Sequence, residues 1–176
     1  MLWGVAYAAA TIPRKAPDLL ILTQQKQSIS LPSFHGKVVV LGLMYTNCAQ
    51  CQKLTTVLSD LQKEYAQRGV QFVAAFYDDA AEGNIGNMKS FANGIPFGRS
   101  SRADVMNFLQ LSPSDPPMVP ILVFIDQAGI IRAQHLLTAT SADHAQEMKF
   151  FAHPETSIPA VLDKMLKSGS SSAPKK

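Results

Sequence analysis

The two cysteines of this chain form one motif, Cys48-Ala49-Gln50-Cys51, and its placement constrains the fold more than any other feature. An unbroken apolar, β-prone run, Val38 to Tyr45, leads into it from Gly36-Lys37. A run without polar alternation reads as a strand covered on both faces, as at the centre of an α/β sheet. After the motif, Leu54, Val57, Leu58, Leu61 and Tyr65 recur at helical spacing, with Lys53, Asp60, Lys63, Glu64 and Arg68 on the opposite side. This predicts a helix from Ala49 to Arg68, stopped by Gly69. The thiols therefore sit where a buried strand meets a helix N-terminus, a placement that points to redox chemistry.

The rest of the chain reads around that unit. Ala16-Pro17-Asp18 opens a β-hairpin, with strands at Leu19–Leu22 and Ser28–Leu31 and the polar run Thr23–Gln27 as its turn. Val70 to Tyr77 is a second buried strand, ended by Asp78-Asp79. Helices are expected at Asn87–Asn93 and Arg102–Leu111, then a rigid loop over Ser112–Pro117. Ile121–Asp126 and Ile130–Leu137 flank the turn Gln127-Ala128-Gly129 as an antiparallel hairpin, followed by helices at Asp143–Phe151 and Thr156–Leu166. A strand, a helix and a second strand in succession require a parallel pair joined by a crossover. The expected fold class is α/β, a mixed central sheet flanked by helices with an extra N-terminal hairpin.

Length and composition fit one domain with a substantial core: 176 residues, 47% hydrophobic and 16% charged. The domain is expected over residues 16–167, after an N-terminal segment 1–15 and before a disordered Ser-rich tail, 168–176. Met1 to Ala10 has two readings: the end of an export signal with Ala6-Tyr7-Ala8 as cleavage site, or an N-terminal strand. A net charge of +3 argues against nucleic acid as a partner. No segment reaches the roughly 20 apolar residues that span a membrane.

Cys48, at or beside the first residue of the helix, is placed to be the nucleophile, because free N–H groups and the helix dipole favour a thiolate there. Cys51, one turn in and nearer the core, is placed to resolve a mixed disulfide. A structural zinc site would need two further ligands at suitable spacing, and no metal or other cofactor is expected. Thr46 and Asn47 are expected to line the motif, with Tyr45 and Met44 either there or in the core. Asp78 and Asp79 read as loop caps, and Phe150-Phe151 as packing. His35, His135, His144 and His153 are scattered, with His144 and Glu147 on one wet helix face.

Together these residues resemble the thioredoxin fold, and more narrowly the extracytoplasmic thiol–disulfide oxidoreductases of the TlpA/ResA type, a branch related to the AhpC/TSA redoxins. The likeness rests on Ala16-Pro17-Asp18 with its hairpin, Gly36-Lys37-Val38-Val39-Val40-Leu41, Cys48-Ala49-Gln50-Cys51, and Met118-Val119-Pro120 before Ile121–Asp126. It implies a cis Val119–Pro120 bond beside Cys48, with the Val119 backbone facing the substrate chain. It also implies protein thiol or disulfide substrates, an upstream electron donor or acceptor, a membrane-bound redox partner and an extracytoplasmic, periplasmic setting. The chain departs from the pattern at three places: Asn47 stands where the family carries Trp, no proline separates the cysteines, and Gly42 replaces a buried acid. Two other activities compete. A peroxiredoxin-like peroxidase would need Pro and Thr where this chain has Leu41 and Tyr45. A Sco-like copper chaperone would need wider cysteine spacing and a histidine near Pro120.

Overall fold

Strand β4 (Val38–Met44) is buried at all seven positions and carries the sheet. It pairs in parallel with β5 (Val70–Phe76) and antiparallel with β7 (Met118–Ile125). Helix α1 (Ala49–Tyr65) connects β4 to β5. These elements come from a computed structural model, which describes residues 11–111, 114, 116–139 and 142–170. The eight strands among them form one mixed sheet in the order β1-β8-β7-β4-β5-β6-β2-β3. The remaining strands are β1 (Arg14–Lys15), β2 (Ile21–Leu22), β3 (Ser28–Ile29), β6 (Phe97–Arg99) and β8 (Ile130–Leu137). The other helices are α2 (Ala81–Asn84), α3 (Arg102–Leu109), α4 (His144–Ala152) and α5 (Pro154–Ser170).

Successive strand side chains point to opposite faces, so β4 feeds two cores. Val38, Val40 and Met44 join Leu54 and Leu58 of α1 and Ile158 and Leu162 of α5 on one face. Val39, Leu41 and Leu43 join Val105, Phe108 and Leu109 of α3 on the other. Gly42 falls on the α1 face, where an added Cβ would collide with Met44 Cε and Leu58 Cδ1. The space beneath the cysteine motif that an acidic side chain would need is thus filled by the Met44 thioether. Helix α1 tightens into a 3-10 turn through Arg68 and ends at Gly69, whose φ of 76° is the left-handed conformation glycine adopts without strain.

The sequence reading is corrected in several places. The helix expected over 87–93 is instead the one-turn α2 followed by a 3-10 run, Ile85–Ser90. Gly83 and Gly86 weaken helical propensity there, and burial of Ile85, Met88 and Ala92 sets the chain path. Strand β6 was not anticipated: three residues carry too little periodicity, and its partners β5 and β2 are distant in sequence. The N-terminal hairpin is present but short, and Leu31 opens a 3-10 turn. Helix α3 ends at Leu109, with Gln110 in the left-handed region. Helix α5 runs to Ser170, into the stretch expected as tail. The segment 1–10, residues 112, 113 and 115 of the expected loop, and residues 171–176 lie outside the described residues.

The β7–β8 turn is organised by Asp126. Its Oδ1 accepts the backbone N–H groups of Ala128 and Ile130, each at 2.9 Å, and its Oδ2 accepts Arg132 Nε at 2.6 Å. Burial alone would raise the carboxyl pKa, but these three donors outweigh it and hold the group below its ordinary range. A depressed folded-state pKa means the stabilisation is present above the unfolded carboxylate pKa and is lost as pH falls through the folded value. Asp126→Asn is expected to lower stability by about 1 kcal/mol at neutral pH. The gap from wild type should close below roughly pH 4, as read by urea unfolding across pH.

Candidate active site

Cys48 is the N-cap of α1, with extended backbone dihedrals of φ −105° and ψ 114°. Its Sγ accepts the backbone N–H of Cys51 at 3.2 Å. The sulfur takes the place of the Ser, Thr or Asp oxygen that usually caps a helix and is held against unpaired N–H groups. Cys48 is half-buried, whereas Cys51 is completely inaccessible. Burial, reinforced by the adjacent Cys48, pushes the Cys51 thiol well above its ordinary range; the Tyr45 backbone opposes this without reversing it. Two cysteines one turn apart are thus made chemically unequal by their depth.

The loop before Cys48 is fixed from β5. The parallel ladder pairs Val38 with Val70 and continues to Met44 with Phe76. The same offset carried two residues further sets Thr46 opposite Asp78. There, the Thr46 N–H donates to Asp78 Oδ2 at 2.6 Å and its hydroxyl to Oδ1 at 2.8 Å. Asn84 Nδ2 donates to the Thr46 hydroxyl at 3.4 Å, and Gln52 Nε2 to the Thr46 carbonyl at 2.8 Å. Thr46 is therefore buried and fully occupied, so it positions the motif and offers no free hydroxyl to a substrate. Asn47 is exposed beside the cysteines.

Asp78 is the residue whose role the motif did not announce. The expected strands 38–45 and 70–77 share the offset of the observed ladder, so pairing them in phase was the available signal. Tyr45 turns to the other face, where it meets Tyr77 edge-on at 4.8 Å and accepts Arg102 Nη2 at 2.8 Å. It therefore belongs to packing.

Val119 and Pro120 are half-buried, and the peptide between them is cis. Pro120 and Met118 share a cavity of about 410 Å³ with Gln50, from inside the cysteine motif, and Lys53. The chain segment 118–120 and the start of α1, far apart in sequence, thus form one surface. Of the histidines, His135 sits in a mostly buried contact, with Nδ1 3.2 Å from both Glu147 oxygens and its ring stacked on Phe150 at 3.7 Å. Glu147 thus pairs across to β8, and not with His144 along the helix. Among the described residues no group of three His, Cys, Asp or Glu is arranged to hold a metal. No helix among them is long and apolar enough to cross a membrane.

Comparison with known proteins agrees with this geometry. The model of the AhpC/TSA family matches residues 12–134. The thiol-disulfide oxidoreductase ResA of Bacillus thuringiensis subsp. konkukian is 29% identical over 68 residues, 39% of each chain. The match thus spans about two-fifths of that relative's length. The thioredoxin-like protein YneN of Bacillus subtilis is 25% identical over 144 residues, 77% of each chain. Among solved structures, a thioredoxin family thiol:disulfide interchange protein from Chlorobium tepidum superposes with TM-score 0.61 at 22% identity, covering 81% of this chain and 98% of its own. The thioredoxin domain of a thiol-disulfide oxidoreductase from Bacteroides vulgatus gives TM-score 0.60 at 19% identity, covering 80% and 98%. The fold is thioredoxin-like.

Two outcomes follow from the depth of the cysteines and the Asp78 anchor. Brief iodoacetamide treatment of the native reduced protein should place one adduct on Cys48 and none on Cys51, read by mass spectrometry; both should react after unfolding. Asp78→Ala, which strands the buried Thr46 N–H and hydroxyl, should cost about 1–3 kcal/mol in thermal unfolding. It should also alter the alkylation rate of Cys48, whereas loss of an idle surface carboxylate would change neither.

Proposed function

This chain belongs to the AhpC/TSA family, and we propose that within it the protein is a thiol–disulfide oxidoreductase acting on protein cysteines. One observation carries the reading: a half-exposed Cys48 sulfur bonded at 3.2 Å to the N–H of a wholly buried Cys51, at a helix N-terminus. The ResA and thioredoxin-like relatives support it.

The chemistry follows from that inequality. Cys48, as thiolate, attacks one sulfur of a substrate disulfide; the Cys48–substrate S–S bond forms, the substrate bond breaks, and the second substrate sulfur leaves as a thiolate. Cys51 then gives up its proton, which the released substrate thiolate takes up, and attacks Cys48 Sγ, expelling the first substrate sulfur as a thiolate. Two electrons pass from the dithiol to the substrate, and Cys48–Cys51 becomes a disulfide. Run backwards, the same steps oxidise a substrate dithiol. Burial keeps Cys51 protonated until the mixed disulfide forms, so only Cys48 meets the incoming partner. Val119 and Pro120, which share a cavity with Gln50, are the surface against which the substrate backbone lies, and Asn47 is exposed next to Cys48 in the chain. The setting proposed is extracytoplasmic, exchanging electrons with a membrane-bound partner, as the resemblance to the TlpA/ResA branch implies.

Equilibration in graded thiol/disulfide buffers, followed by alkylation and mass counting, tests this. A single reversible two-electron transition should appear, lost in both Cys48→Ser and Cys51→Ser, and its midpoint would assign direction. If no intramolecular disulfide forms in any buffer, the proposal fails.

A further inference from the structure

Helix α4, between β8 and α5, turns one face into the wall of the cavity beside the cysteines. His144, Met148, Phe151 and Ala152 line that cavity and recur at the i, i+4, i+7, i+8 spacing of a single helical stripe. The adjoining stripe, Glu147 and Phe150, fastens α4 to β8 through His135. Facing α4 across the groove stand Met118 and Pro120, with Leu54 and Leu137 completing its apolar lining.

Three features mark this groove as a recognition surface. Large apolar side chains are exposed at only four described positions, and two of them, Met118 at 46% and Met148 at 53%, lie here. Exposed apolar surface gathered in one concavity signals a binding site, whereas scattered apolar residues do not. Its volume of about 410 Å³ falls in the usual range for ligand sites, roughly 300–1,000 Å³. Its polar lining includes Lys53 and His144, and no lining residue is a carboxylate.

We propose that this groove is the specificity site of the oxidoreductase, receiving a bulky apolar side chain next to the reactive cysteine of an extended substrate polypeptide, with an acidic residue beyond it opposite Lys53. The proposal rests on the thiol–disulfide reading. Continuity selects the occupant: the wall begins at Gln50, inside the cysteine motif, and includes Pro120, so a chain whose cysteine engages Cys48 has its neighbouring residues over the groove. Met118 and Met148 are unbranched and polarisable, so the groove should accept aliphatic and aromatic side chains alike.

The test uses the Cys51→Ser protein, in which Cys48 mixed disulfides accumulate. Short peptides carry one cysteine activated with thionitrobenzoate. Cys48 attacks the peptide sulfur, the new S–S bond forms, and thionitrobenzoate leaves as a coloured thiolate that reports the rate. Three peptides are compared: leucine beside cysteine with a flanking glutamate, serine in place of that leucine, and lysine in place of that glutamate. The leucine peptide should react about 10-fold faster than the serine peptide. In a Met148→Gln background that ratio should fall towards one. The glutamate-over-lysine preference should shrink in Lys53→Gln and with added salt. Both variants change exposed side chains, and each ratio is internal to one protein, so a general loss of reactivity does not mimic the result. Equal rates with all three peptides, or a leucine preference that survives Met148→Gln, overturn the groove assignment while leaving the oxidoreductase reading intact. Failure of Cys48 to react with any peptide, together with no redox transition in the unmodified protein, overturns both.

Discussion

The site depends on the in-register parallel pairing of β4 with β5. That ladder puts the end of β4, where the cysteine motif begins, beside the end of β5, where Asp78 follows. Thr46 is held by Asp78 through both its N–H and its hydroxyl, so the turn into α1 has little freedom and Cys48 arrives at the helix N-cap in a fixed position. A register slip of one residue would turn every β4 side chain to the other face. It would exchange two different cores, one built with α1 and α5 and the other with α3, and would also part Thr46 from its anchor. The packing of the sheet and the placement of Cys48 are therefore enforced by the same constraint.

Depth then divides the labour between the cysteines. Separated by one helical turn, they differ because Cys48 stands at the N-cap, only partly covered, and Cys51, one turn in, lies inside the core. Water is excluded at Cys51, so the buried group stays a thiol. The environment beneath is apolar. Met44 occupies the volume beside Gly42, and the Thr55 hydroxyl donates to the Cys51 carbonyl at 2.7 Å. No carboxylate can stand at Gly42 without moving Met44, which gives this chain a different buried surrounding from the family pattern with its acid in that strand.

Helix α4 shows how an addition to a common fold is held without disturbing it. Its inward stripe is fastened by one polar contact and aromatic stacking: His135 to Glu147, and the His135 ring over Phe150 with Phe124 edge-on at 5.8 Å. Its other stripe is free to form the groove wall. Phe151 both packs against the core and lines the groove, but His144 and Met148 line it without taking part in the fastening, so these two can vary without detaching the helix.

The central strand, α1, the β7–β8 hairpin and the dithiol were legible in the sequence, because each leaves a local signature: an uninterrupted apolar run, a 3.6-residue period, a glycine turn, a two-residue cysteine spacing. The cis Val119–Pro120 bond and its place beside the start of α1 were legible only through the resemblance. The short strands β1 and β6 were not legible, since two or three residues show no period and their pairing is decided by partners remote in the chain. Thr46 was expected to line the motif and is buried, because its environment is set by Asp78, thirty-two residues away. The groove was beyond sequence altogether: the start of α1, the 118–120 segment and α4 meet only when the sheet brings them to one end. Local sequence could mark the two cysteines and their spacing; tertiary packing decided how deep each lies, what anchors the motif and what surface stands beside it.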